Sequence, residues 1–245
     1  MRRTTLLREW LDRLFSAQYP DQELLLQPAS ADASFRRYFR LTLPDQTTRI
    51  VMDAPPEQED CRPFLHVAAL FREAGVHTPE IFAQDLEQGF LLLSDLGSTP
   101  YLTVLNSATA PTLYQAANRA LLAIQCASRP GVLPEYDQAW LTQELNLFPD
   151  WYLARHQNVS LSASQDAVLR QVFAKILANN LAQAQVYVHR DYHSRNLMWI
   201  DQDFPLNPGV IDFQGAVYGP LTYDLVSLYR DAYIDWEEAE ELDFV

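Results

Sequence analysis

The sequence predicts an α+β chain in which a small antiparallel sheet comes first and a mainly helical part follows. Three observations lead there. Short strand-like runs bounded by turn-forming residues crowd the stretch up to residue 97. From Pro111 onward apolar residues recur at three- and four-residue spacing instead. Finally, two further strand-like runs, ending near His189 and Asp212, carry Asp and Asn residues into their turns.

The elements follow in order. Residues 4–18 place Leu7, Trp10, Leu11, Leu14 and Phe15 at helical spacing behind Thr4 or Thr5 as a cap. Runs at 24–27, 35–43 and 49–53 then read as the first strands, closed by Pro55-Pro56. Residues 60–74 carry Phe64, Val67, Ala68, Leu70 and Phe71 on one helical face, and Gly75 sits where a helix ends. Runs at 80–83 and 89–93 complete the sheet, and Ser94-Asp95-Leu96-Gly97 leads out of it. Beyond, 111–128, 137–156 and 164–185 read as helices, broken at Pro130-Gly131 and at 158–164.

Composition excludes several classes. With 18 Lys plus Arg against 32 Asp plus Glu, the formal charge is −14, and no basic stripe offers a surface to nucleic acid or to an anionic membrane. No apolar run approaches a membrane span. Arg8, Glu9 and Asp12 interrupt any signal-peptide core. The two cysteines, Cys61 and Cys126, have no metal spacing and suit a reducing compartment, so the cytoplasm is expected. At 245 residues and 48% apolar, the chain can bury a substantial core.

The chemistry concentrates in Val188-His189-Arg190-Asp191-Tyr192-His193-Ser194-Arg195-Asn196-Leu197 and in Ile211-Asp212-Phe213-Gln214-Gly215. An Asp and an Asn five apart on a turn, with a second Asp at the end of the next run, make a metal-phosphate arrangement. Phosphoryl transfer asks little covalent work of a protein; it needs an acceptor for a hydroxyl proton, magnesium ligands and positioning. Asp191 suits the first task. Asn196 and Asp212 are hard oxygen donors of the kind magnesium prefers. Asp and Asn are also ordinary turn residues, and a lone His-x-Asp would carry no such reading.

The pattern His189-x-Asp191 with Asn196, then Asp212, then Asp224-Leu225, resembles the aminoglycoside phosphotransferase superfamily. The resemblance implies a two-lobed, protein-kinase-like fold, with residues 1–97 as an N-lobe and 98–245 as a helical C-lobe. It also implies ATP and Mg2+ as cofactors, a hinge at Ser94, Asp95 and Leu96 that holds adenine, and bracing roles for His189 and Asp224. His193 and Arg195 are placed to face substrate or phosphate, or simply solvent.

Two familiar parts are missing. The stretch from Ser30 to Arg40 occupies the phosphate-loop position without a glycine, and Met52 stands where a lysine is expected; the only lysine is Lys175. Either the chain binds a nucleotide or sugar without transferring phosphate, or arginines replace the lysine, since paired guanidinium donors bind phosphate well. The intact 189–196 loop favours an active enzyme, with Arg37 or Arg40 on the nucleotide phosphates. Strand alternation points the two to opposite faces, so one of them is expected to reach.

Ser34-Phe35-Arg36-Arg37-Tyr38-Phe39-Arg40, then Val51-Met52-Asp53-Ala54-Pro55-Pro56, then Ser94-Asp95-Leu96-Gly97, narrows the likeness. It is similar to the bacterial branch that phosphorylates cell-wall amino sugars, N-acetylmuramate and N-acetylglucosamine, at the anomeric hydroxyl during peptidoglycan recycling. That branch also lacks the lysine. The resemblance implies a monomeric sugar 1-kinase with a small-molecule amino-sugar substrate. Other acceptors on the same fold are an aminoglycoside, choline or a homoserine-like alcohol, and a nucleotide-binding regulator is the non-enzymatic alternative. Glu144, Trp151 and Arg155 on the 137–156 helix, with Arg195, are candidate sugar contacts, although aromatic residues at helical spacing are commonly core. Family members continue past the Asp-Leu helix, so a truncation near Val245 is expected.

Overall fold

The computed structural model describes residues 2–20, 22–31, 35–202 and 205–244. The chain opens with helix α1 (Arg2–Phe15), followed by β1 (Leu25–Ala31), β2 (Arg37–Thr42), β3 (Thr48–Asp53), α2 (Arg62–Glu73), β4 (Ile81–Asp85) and β5 (Phe90–Ser94). The strands form an antiparallel sheet of order β1-β2-β3-β5-β4. The first strand runs four residues further than its apolar run suggested, carried past Pro28 by an irregularity between Pro28 and Ser30.

Both faces of this sheet are covered, and strand alternation decides what lies where. Val51, Phe90 and Leu92 turn toward α1 and pack with Leu7, Trp10 and Leu11. Met52, Leu91 and Leu93 turn the other way, toward Phe64, Val67, Ala68 and Phe71 of α2. At about 1.5–3 kcal/mol for each large side chain removed from water, these two layers are what hold β3 and β5 in the middle of the sheet. Met52 is 1% exposed and belongs to this core. Helix α2 ends where Gly75 takes φ 81. There the Val76 N–H donates to the Phe71 carbonyl and the Gly75 N–H to that of Arg72, which satisfies the last turn.

The rest of the chain contributes α3 (Tyr101–Val104), α4 (Ala110–Cys126), α5 (Gln138–Leu147), a π-wound segment (Phe148–His156) and α6 (Ala163–Leu181). Then come β6 (Gln185–Val188), β7 (Leu197–Met198), β8 (Gly209–Val210), β9 (Val217–Pro220), α7 (Tyr223–Tyr229) and α8 (Glu238–Phe244). The single helix expected over 137–156 is therefore two windings. Pro149 lacks the N–H that an α-helix needs at that point, and the Gln157 N–H closes a five-residue step onto Tyr152. Helix α6 starts in a capping box between Ser162 and Gln165 and ends four residues before the expected 185, where β6 takes over.

The largest apolar core does not stop at residue 97. It runs from Met52 and α2 through Tyr101, Leu113 and Leu121 to Tyr192, Leu197, Val210, Phe213 and Leu228. Phe64 and Phe71 of α2 both touch Phe213, at ring-centroid distances of 4.9 and 5.8 Å. Among the described residues no helix is long and apolar enough to cross a membrane.

Candidate active site

The loop between β6 and β7 is fastened from below before any side chain acts. Asp224, in the first turn of α7 and 1% exposed, accepts the backbone N–H of His189 at 2.7 Å and of Arg190 at 3.0 Å, one on each oxygen. Between these bonds Arg190 takes φ 79, a left-handed conformation that costs a non-glycine residue about 1 kcal/mol and persists only where its surroundings impose it. Asp231 does the same further on, accepting from the N–H groups of Ser194 and Tyr233.

His189 is fully buried, and its bonds fix its tautomer. Nε2 lies 2.9 Å from the Ile211 carbonyl, which can only accept, so Nε2 carries the proton; Nδ1 accepts from the Asp191 N–H at 3.3 Å. One neutral imidazole thus ties the Asp191 backbone to the strand that leads into Asp212. Burial pushes its pKa down to about 4, against the Ile211 bond. Burial pushes the Asp224 carboxyl up to about 7, against its two N–H bonds.

Asp191 is exposed at the tip of this arrangement. The Asn196 side-chain N–H donates to the Asp191 carbonyl at 2.9 Å, which leaves the Asn196 amide oxygen as its acceptor end. The Asn196 carbonyl in turn accepts from Ile211 N–H at 3.1 Å, and β7 pairs with β8 through Leu197 and Val210. Asp212 follows in a left-handed conformation, φ 62, with Gln214 Nε2 donating to its Oδ1 at 2.7 Å. Asp191, Asn196 and Asp212 therefore sit on one hydrogen-bonded unit. A carboxylate and an amide oxygen on adjacent turns suit a magnesium ion that takes its other ligands from phosphate and water.

The chain that leads out of Ser94-Asp95-Leu96 meets the 189–199 stretch a few residues later. Arg40 grips Asp95 with two bonds, Nε at 2.6 Å and Nη2 at 3.0 Å, and also donates to the Gly97 carbonyl. Burial raises the Asp95 carboxyl, but the bonds from Arg40, Thr48 and the Gly97 N–H outweigh it and hold its pKa below the usual range. Ser94 pairs through its N–H and hydroxyl with Glu80, and Leu96 is buried. The Trp199 N–H donates to Thr99 and the Leu102 N–H to Ser194, so residues 99–102, just past the segment, are joined to the loop by backbone bonds.

The two arginines expected at the nucleotide phosphates are occupied in this structure. Arg37 pairs with the buried Asp53, directly opposite it on β3, and Arg40 holds Asp95. Arg36, not singled out from the sequence, reaches Asp212 instead, with Nη2 3.7 Å from Oδ1.

Of the four candidate sugar contacts, Glu144 lines a cleft of about 570 Å³ with Tyr136, Leu141, Phe148, Phe173 and Tyr223. It bonds Tyr136 and accepts from Arg190 Nη2 at 2.6 Å, which ties the cleft wall to the 189–196 loop. Trp151 and Arg155 stack on each other at 3.9 Å on the exposed face of the π-wound segment. Arg195 lies 4.7 Å over the Tyr233 ring. These three do not line the cleft. The braces at Asp231, Gln214 and Arg190 were not expected from the sequence; a single Asp, Gln or Arg in a loop carries no spacing signal of its own.

Comparison with known proteins places this geometry. Residues 25–244 match the model of the phosphotransferase enzyme family. The N-acetylmuramate/N-acetylglucosamine kinase of Pseudomonas aeruginosa is 52% identical over 237 residues, which are 94% of this chain and 68% of that protein. The protein of the same name from Neisseria meningitidis is 43% identical across all of this chain and 72% of its own length. In fold, the chain is similar to the choline kinase LicA from Streptococcus pneumoniae, with TM-score 0.67 and 15% identity over 97% of this chain and 78% of that one. It is similar also to the aminoglycoside phosphotransferase APH(3'')-Id from Streptomyces rimosus, with TM-score 0.62 and 16% identity over 97% and 90%. With a family model covering the sheet, the loop and α7, and with relatives this similar over most of its length, the chain belongs to the phosphotransferase enzyme family.

Proposed function

We propose that this phosphotransferase moves the γ-phosphoryl group of ATP to the anomeric hydroxyl of N-acetylmuramate and N-acetylglucosamine. The observation that carries the reading is the bonded unit of Asp191, Asn196 and Asp212, in a chain 52% identical to a kinase named for those sugars. In this reading residues 1–97 face the nucleotide, with Ser94, Asp95 and Leu96 along its base, and residues 98–245 face the acceptor.

Asp191 orients the sugar hydroxyl and takes its proton as the new oxygen–phosphorus bond forms and the bond from the γ-phosphorus to the leaving ADP breaks. Exposure suits that task, because a carboxylate that must meet a substrate cannot be spent on its own loop. Asn196 and Asp212 would hold magnesium, with Asp212 the stronger ligand because it is anionic. Magnesium, when bound, supplies charge neutralisation on the transferring group. His189, Asp224 and Asp231 do no chemistry and keep the loop in its strained form. The cleft beside Glu144, Tyr136 and Tyr223 offers aromatic faces and a carboxylate to a pyranose ring, and its Arg190 link makes sugar contact and loop position interdependent.

Incubation with ATP, magnesium and, separately, N-acetylmuramate, N-acetylglucosamine, streptomycin, choline and homoserine tests the reading. ADP release with the two amino sugars, and a sugar 1-phosphate signal by phosphorus NMR, is the expected result. ADP only with streptomycin, choline or homoserine would move the reaction to another acceptor. Nucleotide binding without ADP release from any of them would leave a regulator in place of an enzyme.

A further inference from the structure

We infer that Arg190 receives the carboxylate of an acidic acceptor sugar, exchanging Glu144 for it, and so tells the two proposed acceptors apart. The inference rests on the amino-sugar reading above and deepens it. N-acetylmuramate carries a lactyl ether, with a carboxylate, at the position where N-acetylglucosamine has a hydroxyl.

An anionic sugar meets an obstacle here that a neutral one does not. The chain has a formal charge of −14, Glu144 lines the cleft, and Asp191 is the proposed base. Like charges repel even in water, so an acidic acceptor needs a cation within reach of the cleft wall. Arg190 is tied to that wall at two points. Its Nη2 donates to Glu144 Oε1 at 2.6 Å, and its guanidinium lies 5.6 Å from the ring centre of Tyr136. Burial presses its pKa down, but Glu144 and Tyr136 outweigh burial and hold it above the usual value, so its charge is fixed. The cleft itself, about 570 Å³, is within the range of small-molecule sites.

What sets Arg190 apart is that its partner can leave. The Glu144 and Arg190 side chains are each 27% exposed, so Glu144 can turn to water without stranding a buried charge. Asp53 and Asp95, held by Arg37 and Arg40, are 0% and 5% exposed and cannot. Replacing one carboxylate by another keeps the guanidinium paired, and its planar fork suits either. The Tyr136 hydroxyl, bonded to Glu144, would donate to the newcomer, because burial pushes its pKa up and keeps the proton in place. The exchange also lies next to the chemistry. Arg190 directly precedes Asp191, and its N–H is one of the two that Asp224 holds. Tyr223 lines the cleft with Glu144, and its hydroxyl is 3.4 Å from that of Tyr136. Burial does most to raise the Tyr223 pKa, with Glu144 and Asp191 adding to it, so one hydroxyl senses cleft wall and base together. The sugar's C1 and C3 are separated by a single ring atom, so a carboxylate for Arg190 and a hydroxyl for Asp191 are demands that neighbouring residues can meet.

The test compares acceptors that differ in one charge. kcat and KM are measured with N-acetylmuramate, its methyl ester and N-acetylglucosamine for the parent, Arg190→Gln, Arg190→Lys, Glu144→Gln and Arg195→Gln. In the parent the acid is expected to exceed the ester in kcat/KM by roughly 10- to 100-fold, carried by KM, the size of a hydrogen bond to a charged group. Arg190→Gln should erase the advantage of acid over ester, whatever it does to the loop and hence to kcat on every acceptor. Arg190→Lys should restore part of it, because charge returns without the paired donors. Glu144→Gln should raise the ratio of acid to ester by about fivefold, the effect of a single like charge about 4 Å away in water. Acid and ester handled alike by the parent, an acid advantage that survives Arg190→Gln, or one lost in Arg195→Gln instead, overturns the inference while leaving the amino-sugar reading intact. A parent that phosphorylates neither sugar overturns that reading, and this inference with it. Should Arg190→Gln not fold by circular dichroism, the parent's acid-to-ester ratio and Glu144→Gln decide: no difference in the first, or no rise in the second, speaks against the exchange.

Discussion

Asp53 and Asp224 are both sealed from water, at 0% and 1% exposure, and they are held in different ways. Asp53, at the end of β3, is clamped by two guanidinium groups, Arg3 from α1 and Arg37 from β2. Among the described residues no cation pairs with Asp224; its oxygens receive the backbone N–H groups of His189 and Arg190. The first arrangement fixes architecture, joining a helix to the ends of two central strands by charge. The second controls backbone shape, through N–H groups of the loop itself and not through a cation. A carboxylate held by dipoles alone is less comfortable as an anion, which is why burial pushes Asp224 up to about 7.

The sharpest way to test the contrast is a third carboxylate that is not buried. Asp191→Asn should lower kcat by about 10³-fold, within the range for losing a general base, while the melting temperature and Mg-ADP affinity stay near the parent's. An active Asp191→Asn enzyme would remove Asp191 from its role. Next in size, Asp53→Asn should cost about 3 kcal/mol in urea unfolding with kcat little changed. That is the low end for breaking a buried pair, since Arg3 and Arg37 are 28% and 45% exposed and can turn to water. Asp224→Asn should cost less stability, about 1–2 kcal/mol, because an amide still accepts one of the two N–H bonds. It should nevertheless lower kcat by tenfold or more, since the loop geometry loosens. If Asp224→Asn melts early but keeps kcat, the loop does not depend on it.

The smallest effect in any single comparison is the change in stability between neighbouring pH values. Asp224 is raised to about 7 from 3.8, so the folded state holds more protons between those values and this group's contribution is lost as pH rises through 7. His189 is lowered to about 4 from 6.5, so the unfolded state holds more protons there and its contribution is lost as pH falls through 4. The two slopes oppose each other between about pH 4 and 6.5. Relative to the parent, Asp224→Asn should become less destabilising as pH rises over that window, and His189→Gln more so, each by at most about 1.4 kcal/mol per pH unit. Unfolding titrations at half-unit pH steps would reveal it, and parallel curves would refute it.

What could be read from the sequence was what is local. Helix α2 was legible because five apolar residues and Gly75 encode both its face and its end. Asp191, Asn196 and Asp212 were legible as a group because turn spacing and strand-like flanks lie in one short stretch. The arginines were not. Which carboxylate each of Arg37 and Arg40 meets depends on cross-strand register and on contacts far along the chain, and Arg37 lies opposite Asp53 only because β2 and β3 pair as they do. The continuous core was equally hidden, since a boundary near 97 follows from a change in texture along the chain and says nothing of Phe64 meeting Phe213. The winding change after Leu147 could have been anticipated from Pro149, whose missing N–H is visible in the sequence.

Phe213 follows Asp212 directly and is wedged against Phe64 and Phe71. Helix α2 thus acts as a stop behind the residue proposed to hold magnesium: its position sets how far the Asp212 turn can retreat. Trimming Phe64 on the far side of that ring would open slack for the Asp212 turn to take up, so the placing of this proposed ligand is set partly by a helix that supplies no ligand itself.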